Sequence, residues 1–63
     1  MAFHLKAARV NANLTQKAAA KELNINQNTL RSYEQYKTIP DIETSKRIAK
    51  LYGMSVDDII WSA

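Results

Sequence analysis

Four side-chain amides fall within five positions, at Asn24, Asn26, Gln27 and Asn28, just ahead of the apolar pair Leu30 and Tyr33. An amide carries an acceptor oxygen and two donor hydrogens, so it suits a ligand that presents donor and acceptor side by side. At about 100° per residue, Asn28, Arg31, Ser32 and Gln35 lie opposite Leu30 and Tyr33, and Gln27 projects from the N-terminal tip. This outer face bears amides, a hydroxyl and a guanidinium, and no carboxylate. In a DNA major groove, Asn or Gln matches the N7 acceptor and N6 donor of adenine. Arg forks onto guanine, and Ser can pair with either. Gln27, Asn28, Ser32 and Arg31 are therefore the candidate base readers. Asn24 and Asn26 serve first as turn and helix cap. Asn26, beside a helix N-terminus with its partial positive charge, is also placed for a phosphate.

Elements that could carry such a face are legible on either side of it. Leu5, Ala8 and Ala12 share one face of a first helix over roughly residues 2–12. Thr15 can cap a second helix that runs to Leu23, with Ala19, Ala20 and Leu23 inward. Asn26 can cap a third that ends near Gln35. Only Asn24 and Ile25 separate Leu23 from that cap, which forces a steep crossing. Asn24 tolerates the left-handed backbone such a turn needs, and Ala20 is small enough for close approach. This is the arithmetic of a helix-turn-helix. Beyond Pro40, Asp41 can cap a fourth helix with Ile42, Ser45, Ile48, Ala49 and Tyr52 on one side. Gly53 then ends it where φ > 0 is commonly needed. Ser55 and Asp58 read as a capping box that opens a short fifth helix with Val56, Ile59 and Ile60. The expectation is an all-α fold of five short helices in a single domain, residues 1–63.

The chain has 63 residues, so it buries only about 60% of its unfolded surface and is marginally stable. With no cysteine, neither a disulfide nor a Cys-based zinc site can staple it. No segment approaches a membrane span and no signal-peptide pattern is present, so the expected location is the cytoplasm. The net charge is +3, unevenly spread. Residues 1–40 hold six basic and two acidic side chains, against three and four in residues 41–63. The excess suggests a polyanion facing the N-terminal two thirds.

Catalysis finds little support. The only histidine, His4, sits near the chain start and reads as a solvated side chain. No serine has an evident base partner, and one glycine cannot build a phosphate-cradling loop. Asp57 and Asp58 answer a helix dipole better than a metal. No catalytic residue, metal, cofactor or small-molecule ligand is expected.

The run LTQKAAAKELNINQNTLRSYEQYKTIP followed by RIAKLYGMSVDDII resembles the phage Cro and repressor-type helix-turn-helix family, also called the XRE family. The likeness covers roughly residues 5–60 without a gap and implies a lambda-repressor-like fold with the second and third helices as the helix-turn-helix. It implies that Gln16 bonds a phosphate and buttresses the recognition helix, and that Gln27, Asn28 and Ser32 read bases. Lys37 and Thr38 would touch the sugar–phosphate backbone, and Arg9 and Glu34 would form a structural ion pair. Departures from the family pattern are Asn24 and Tyr36 where glycine is commoner, the small Ala18 and Ala19, and Ser45 in place of leucine. The last three point to a thin core.

A single module of this kind buries about 600–1,000 Å² on DNA, so a homodimer, at least on DNA, is expected. Ile59, Ile60 and Trp61 are candidates for its seam, with packing on the chain's own core the equal alternative for Trp61. The functional expectation is a regulator, a repressor by preference, on a near-palindromic operator of double-stranded DNA. Alternatives are an antitoxin or restriction-control autoregulator of the same fold, the N-terminal part of a longer repressor, or a small helical protein-interaction module.

Overall fold

Side-chain caps start most of the helices, and left-handed residues stop all of them. In the computed structural model, which describes residues 2–62, α1 spans Leu5–Asn11, α2 Gln16–Leu23, α3 Gln27–Glu34 and α4 Ile42–Tyr52. The Thr15 hydroxyl accepts from the Ala18 N–H at 3.0 Å, Asn26 Oδ1 from Asn28 at 2.8 Å, and Asp41 Oδ1 from Thr44 at 2.8 Å. Each cap satisfies an orphan donor of a helix N-terminus. The hydrogen bonds at Thr44 hold the Asp41 carboxyl below its ordinary value.

At the C-termini, Asn13, Asn24, Tyr36 and Gly53 all take positive φ, between 56° and 71°. Each closes the same pair of bonds, as when Asn24 N–H reaches Lys21 O at 3.1 Å and Ile25 N–H reaches Ala20 O at 3.0 Å. This is the Schellman motif. After three of the helices the next residue is apolar and packs on the core: Leu14, Ile25 and Met54. After α3 it is Lys37, which is exposed.

The expected fifth helix is not formed. Ser55 and Asp58 do pair, with Asp58 Oδ2 accepting from the Ser55 N–H and hydroxyl at 3.3 and 3.0 Å. They support only a single 3₁₀ turn, Val56–Asp58. The chain then extends into β2, Ile59–Ile60, which lies parallel to β1, Phe3–His4, with Phe3 opposite Ile59 and His4 opposite Ile60. Two successive β-branched residues favour extended backbone, and the chain start supplies the partner. The first helix consequently begins at Leu5. Four α-helices and a two-stranded ribbon thus replace the expected all-α five-helix arrangement.

The core consists of Leu5, Ala8, Ala19, Ala20, Leu23, Leu30, Ile48, Ala49, Tyr52 and Ile59. Four of these are alanines, which let helices approach closely around the fully buried Leu5, Leu30 and Ile48. Ser45 is also buried, and its hydroxyl donates to the Asp41 carbonyl at 2.9 Å. Arg47 crosses from α4 to donate to the Leu23 carbonyl at 2.7 Å, tying α4 to the end of α2. Ile42, expected inward, is 75% exposed. It occupies the first turn of α4, beyond the reach of the core, and Pro40 is buried there instead. Among the described residues no helix is long and apolar enough to cross a membrane.

The Tyr52 hydroxyl is buried without a hydrogen-bond partner. Burial, reinforced by the Glu34 carboxylate, pushes it up from 10.0 to about 12, while Arg9 acts in the opposite sense. Between these two values the unfolded chain has released a proton that the folded chain retains, so stability falls as pH rises from about 10 to about 12. Tyr52→Phe should abolish that alkaline loss in denaturation curves recorded across this range. At neutral pH it should raise stability by about 1 kcal/mol, because an unsatisfied buried hydroxyl is removed.

Candidate nucleic-acid interface

The outer face of α3 follows from its sequence. Leu30 is fully buried and Tyr33 packs partly against the core, so the helix has one fixed rotation. Gln27, Asn28, Arg31 and Gln35 are then exposed, with Ser32 half-buried beside them. Lys37 and Thr38 are exposed in the loop that follows. Asn26 is exposed as well, but its side-chain oxygen is engaged in capping, which leaves its NH₂ group free to face outward.

Behind this face lies a hydrogen-bonded chain that runs through three helices. Arg9 Nε donates to Glu34 Oε2 at 2.7 Å and Arg9 Nη2 to Glu34 Oε1 at 3.3 Å, a two-point contact between α1 and α3. Both side chains are nearly buried, at 9% and 4% exposure. Arg9 Nη1 also donates to the Leu14 carbonyl at 2.8 Å. Gln16, the first residue of α2, donates to Glu34 Oε1 at 3.1 Å, and its own oxygen accepts from Gln27 Nε2 at 3.3 Å. The outermost amide of the face is therefore connected, through Gln16, to a buried ion pair. Such preorganisation reduces the side-chain freedom lost when a ligand binds.

The exit of α3 carries a contact that the sequence reading missed. His4 Nδ1 and the Tyr36 hydroxyl share a hydrogen bond at 2.5 Å, with ring centroids 5.8 Å apart and tilted by 50°. His4 is thus held, not merely solvated. Tyr36 sits at φ 61°, a conformation that costs a non-glycine residue about 1–2 kcal/mol. The available signal was a tyrosine standing where the helix exit favours glycine.

Of the three expected seam residues, Ile59 is 5% exposed and belongs to the protein's own core. Ile60 and Trp61 are half-buried, and the Trp61 indole donates to the Val56 carbonyl at 3.0 Å. Ile59 is therefore unavailable to a partner. Among the described residues there is no group of His, Cys, Asp and Glu side chains arranged to hold a metal ion.

A family model described as Helix-turn-helix matches residues 5–59, which takes in all of α1 to α4 and every member of the buried network. The chain belongs to this helix-turn-helix family, of the XRE type. Within the family it is 43% identical over 56 residues to the HTH-type transcriptional regulator ImmR of Bacillus subtilis, a match covering 89% of this chain and 44% of that protein. It is 36% identical over 55 residues to the uncharacterized HTH-type transcriptional regulator MJ0272 of Methanocaldococcus jannaschii, covering 87% and 83% respectively. The chain therefore spans less than half the length of ImmR. No solved structure matches it.

Removing one partner from a buried ion pair leaves the other charge uncompensated, at a cost of about 3–5 kcal/mol. For so small a fold this approaches the total stability. Glu34→Gln should therefore leave the protein largely unfolded at 37 °C by circular dichroism. The double variant Arg9→Met with Glu34→Leu should recover most of the helical signal.

Proposed function

We propose that this chain is a sequence-specific double-stranded DNA-binding transcriptional regulator that docks through α2 and α3. The observation that carries the proposal is the outward face of α3. It presents Gln27, Asn28, Arg31, Ser32 and Gln35 with no carboxylate among them, and Gln27 is braced from behind by Gln16. Donor-and-acceptor side chains at the N-terminal end of such a helix suit base edges in a major groove. The likeness to ImmR and MJ0272, both named as HTH-type transcriptional regulators, supports the same reading.

In this mechanism Gln27, Asn28 and Ser32 read bases. Gln16, Asn26, Lys37 and Thr38 position the protein on phosphates, which fix register without carrying sequence information. Two copies on half-sites about one helical turn apart give the selectivity that one module lacks. Occupying a site that polymerase needs would repress transcription.

Selection from a pool of random duplex DNA at moderate salt should enrich an inverted repeat with half-sites about 10 base pairs apart. No enrichment by the folded protein would argue instead for a protein-interaction module. On the enriched duplex, Gln27→Ala and Asn28→Ala should each weaken binding by about 1–3 kcal/mol while leaving binding to unrelated duplex unchanged. Lys37→Ala should weaken both equally and reduce the salt dependence, measured by fluorescence anisotropy titration.

A further inference from the structure

A cleft of about 340 Å³ opens between α1 and α3, lined by Lys6, Arg9, Gln16, Arg31, Glu34 and Gln35. The lining contains three cations and a single anion. Arg9 and Glu34 neutralise each other in the buried pair, and Gln16 is engaged on one side by Glu34 and on the other by Gln27. Lys6 and Arg31 are exposed and, among the described residues, neither has an ion-pair partner. The cleft therefore holds an excess of two positive charges above a floor that is already neutral. Nothing in that lining competes for an incoming anion.

The location of the cleft specifies the anion. Gln27, Arg31 and Gln35 follow one another at intervals of four along α3 and its C-cap, so they continue one stripe of the helix. Gln27 stands at the tip of that stripe, and the two residues behind it form part of the α3 wall of the cleft, across from Lys6 and Arg9 of α1. A strand whose bases meet the tip of α3 would carry its sugar–phosphate backbone along this flank. Gln16, at the opening of α2, borders the same cleft. A guanidinium and an ammonium lining one cleft suit a phosphate diester, because the fork of Arg and the point charge of Lys both bind phosphate oxygens strongly.

We infer that Lys6 and Arg31 form a phosphate site for one DNA strand, so that Arg31 positions the duplex rather than reading a base. This inference rests on the duplex-DNA reading above and removes Arg31 from the base readers that the sequence pattern suggests. Arg31 then contributes to every duplex alike. Lys6, which no pattern in the sequence singled out, becomes part of the interface.

The test compares the unsubstituted protein with Lys6→Gln, Arg31→Gln and Arg31→Lys on the selected duplex and on an unrelated one, across a range of salt concentrations. Both side chains are exposed, so folding should be unaffected. Lys6→Gln and Arg31→Gln should each reduce the slope of log affinity against log salt, and together by about 0.9 for the one phosphate they share. They should weaken both duplexes by the same factor, and Arg31→Lys should retain the slope. A single methylphosphonate placed at the contacted phosphate should reproduce the loss in the unsubstituted protein and add nothing in the Lys6→Gln, Arg31→Gln double variant. Loss confined to the selected duplex on Arg31→Gln would make Arg31 a base reader and overturn the inference. So would unchanged slopes in the variants alongside a normal slope in the unsubstituted protein, with the DNA reading left standing. Failure of the unsubstituted protein to bind any duplex would remove the DNA reading and this site together.

Discussion

The buried pairing of Arg9 with Glu34 is the constraint on which the rest of the structure depends. Two charges withdrawn from water lose several kcal/mol of hydration each, so the pair is tolerable only where most of its donors and acceptors find partners. Here Arg9 meets both carboxylate oxygens and the Leu14 carbonyl, and Glu34 also accepts from Gln16. Those contacts belong to α1, to the turn after it, to α2 and to α3. Satisfying them fixes the relative positions of three helices more tightly than an alanine-rich core could. Apolar packing of Ala8, Ala19 and Ala20 permits close approach but tolerates sliding. A two-point ion pair does not.

Helix endings supply the second level of order. Four left-handed residues stop four helices, and in three cases the next side chain is an apolar peg in the core. The end of α3 differs because its peg position is Lys37. Tyr36 takes over the anchoring through His4, at the expense of an unfavourable backbone conformation. The arrangement leaves a cation in solvent directly after the helix that carries the amide face. A glycine at position 36 would relax the backbone but release this anchor.

Much of this was legible in the sequence because local signals decide it. Thr15, Asn26 and Asp41 cap helices for reasons contained within four residues, and the rotation of α3 follows from Leu30 and Tyr33 alone. The XRE resemblance rested on an ordered set of such local signals, and the family match covers nearly the same stretch. What was not legible depended on distant partners. Ile59 and Ile60 follow a capping box and have the spacing of a helix, yet they extend because Phe3 and His4, at the other end of the chain, offer a strand to pair with. Ile42 matched the inward stripe of α4, but the stripe outruns the core it faces. His4 looked solvated because its partner lies 32 positions away. The net charge of the N-terminal part was visible, whereas the gathering of Lys6 and Arg31 around one cleft required the packing of α1 on α3.

The short ribbon also imposes an order in time. Every helix closes through bonds between near neighbours, whereas pairing Phe3 with Ile59 must bring together the two extremes of the described chain. The entropy lost in closing so large a loop is modest, since it grows only with the logarithm of loop length. Two residues per strand still cannot offset it alone. The ribbon must wait until the docked helices have drawn its two halves together, which makes it the closing event of assembly and the first contact released on the way out. Because His4 belongs to β1 and also holds Tyr36, that release would loosen the end of α3. The earliest step of unfolding would thus reach the amide-bearing helix before the ion pair behind it had parted.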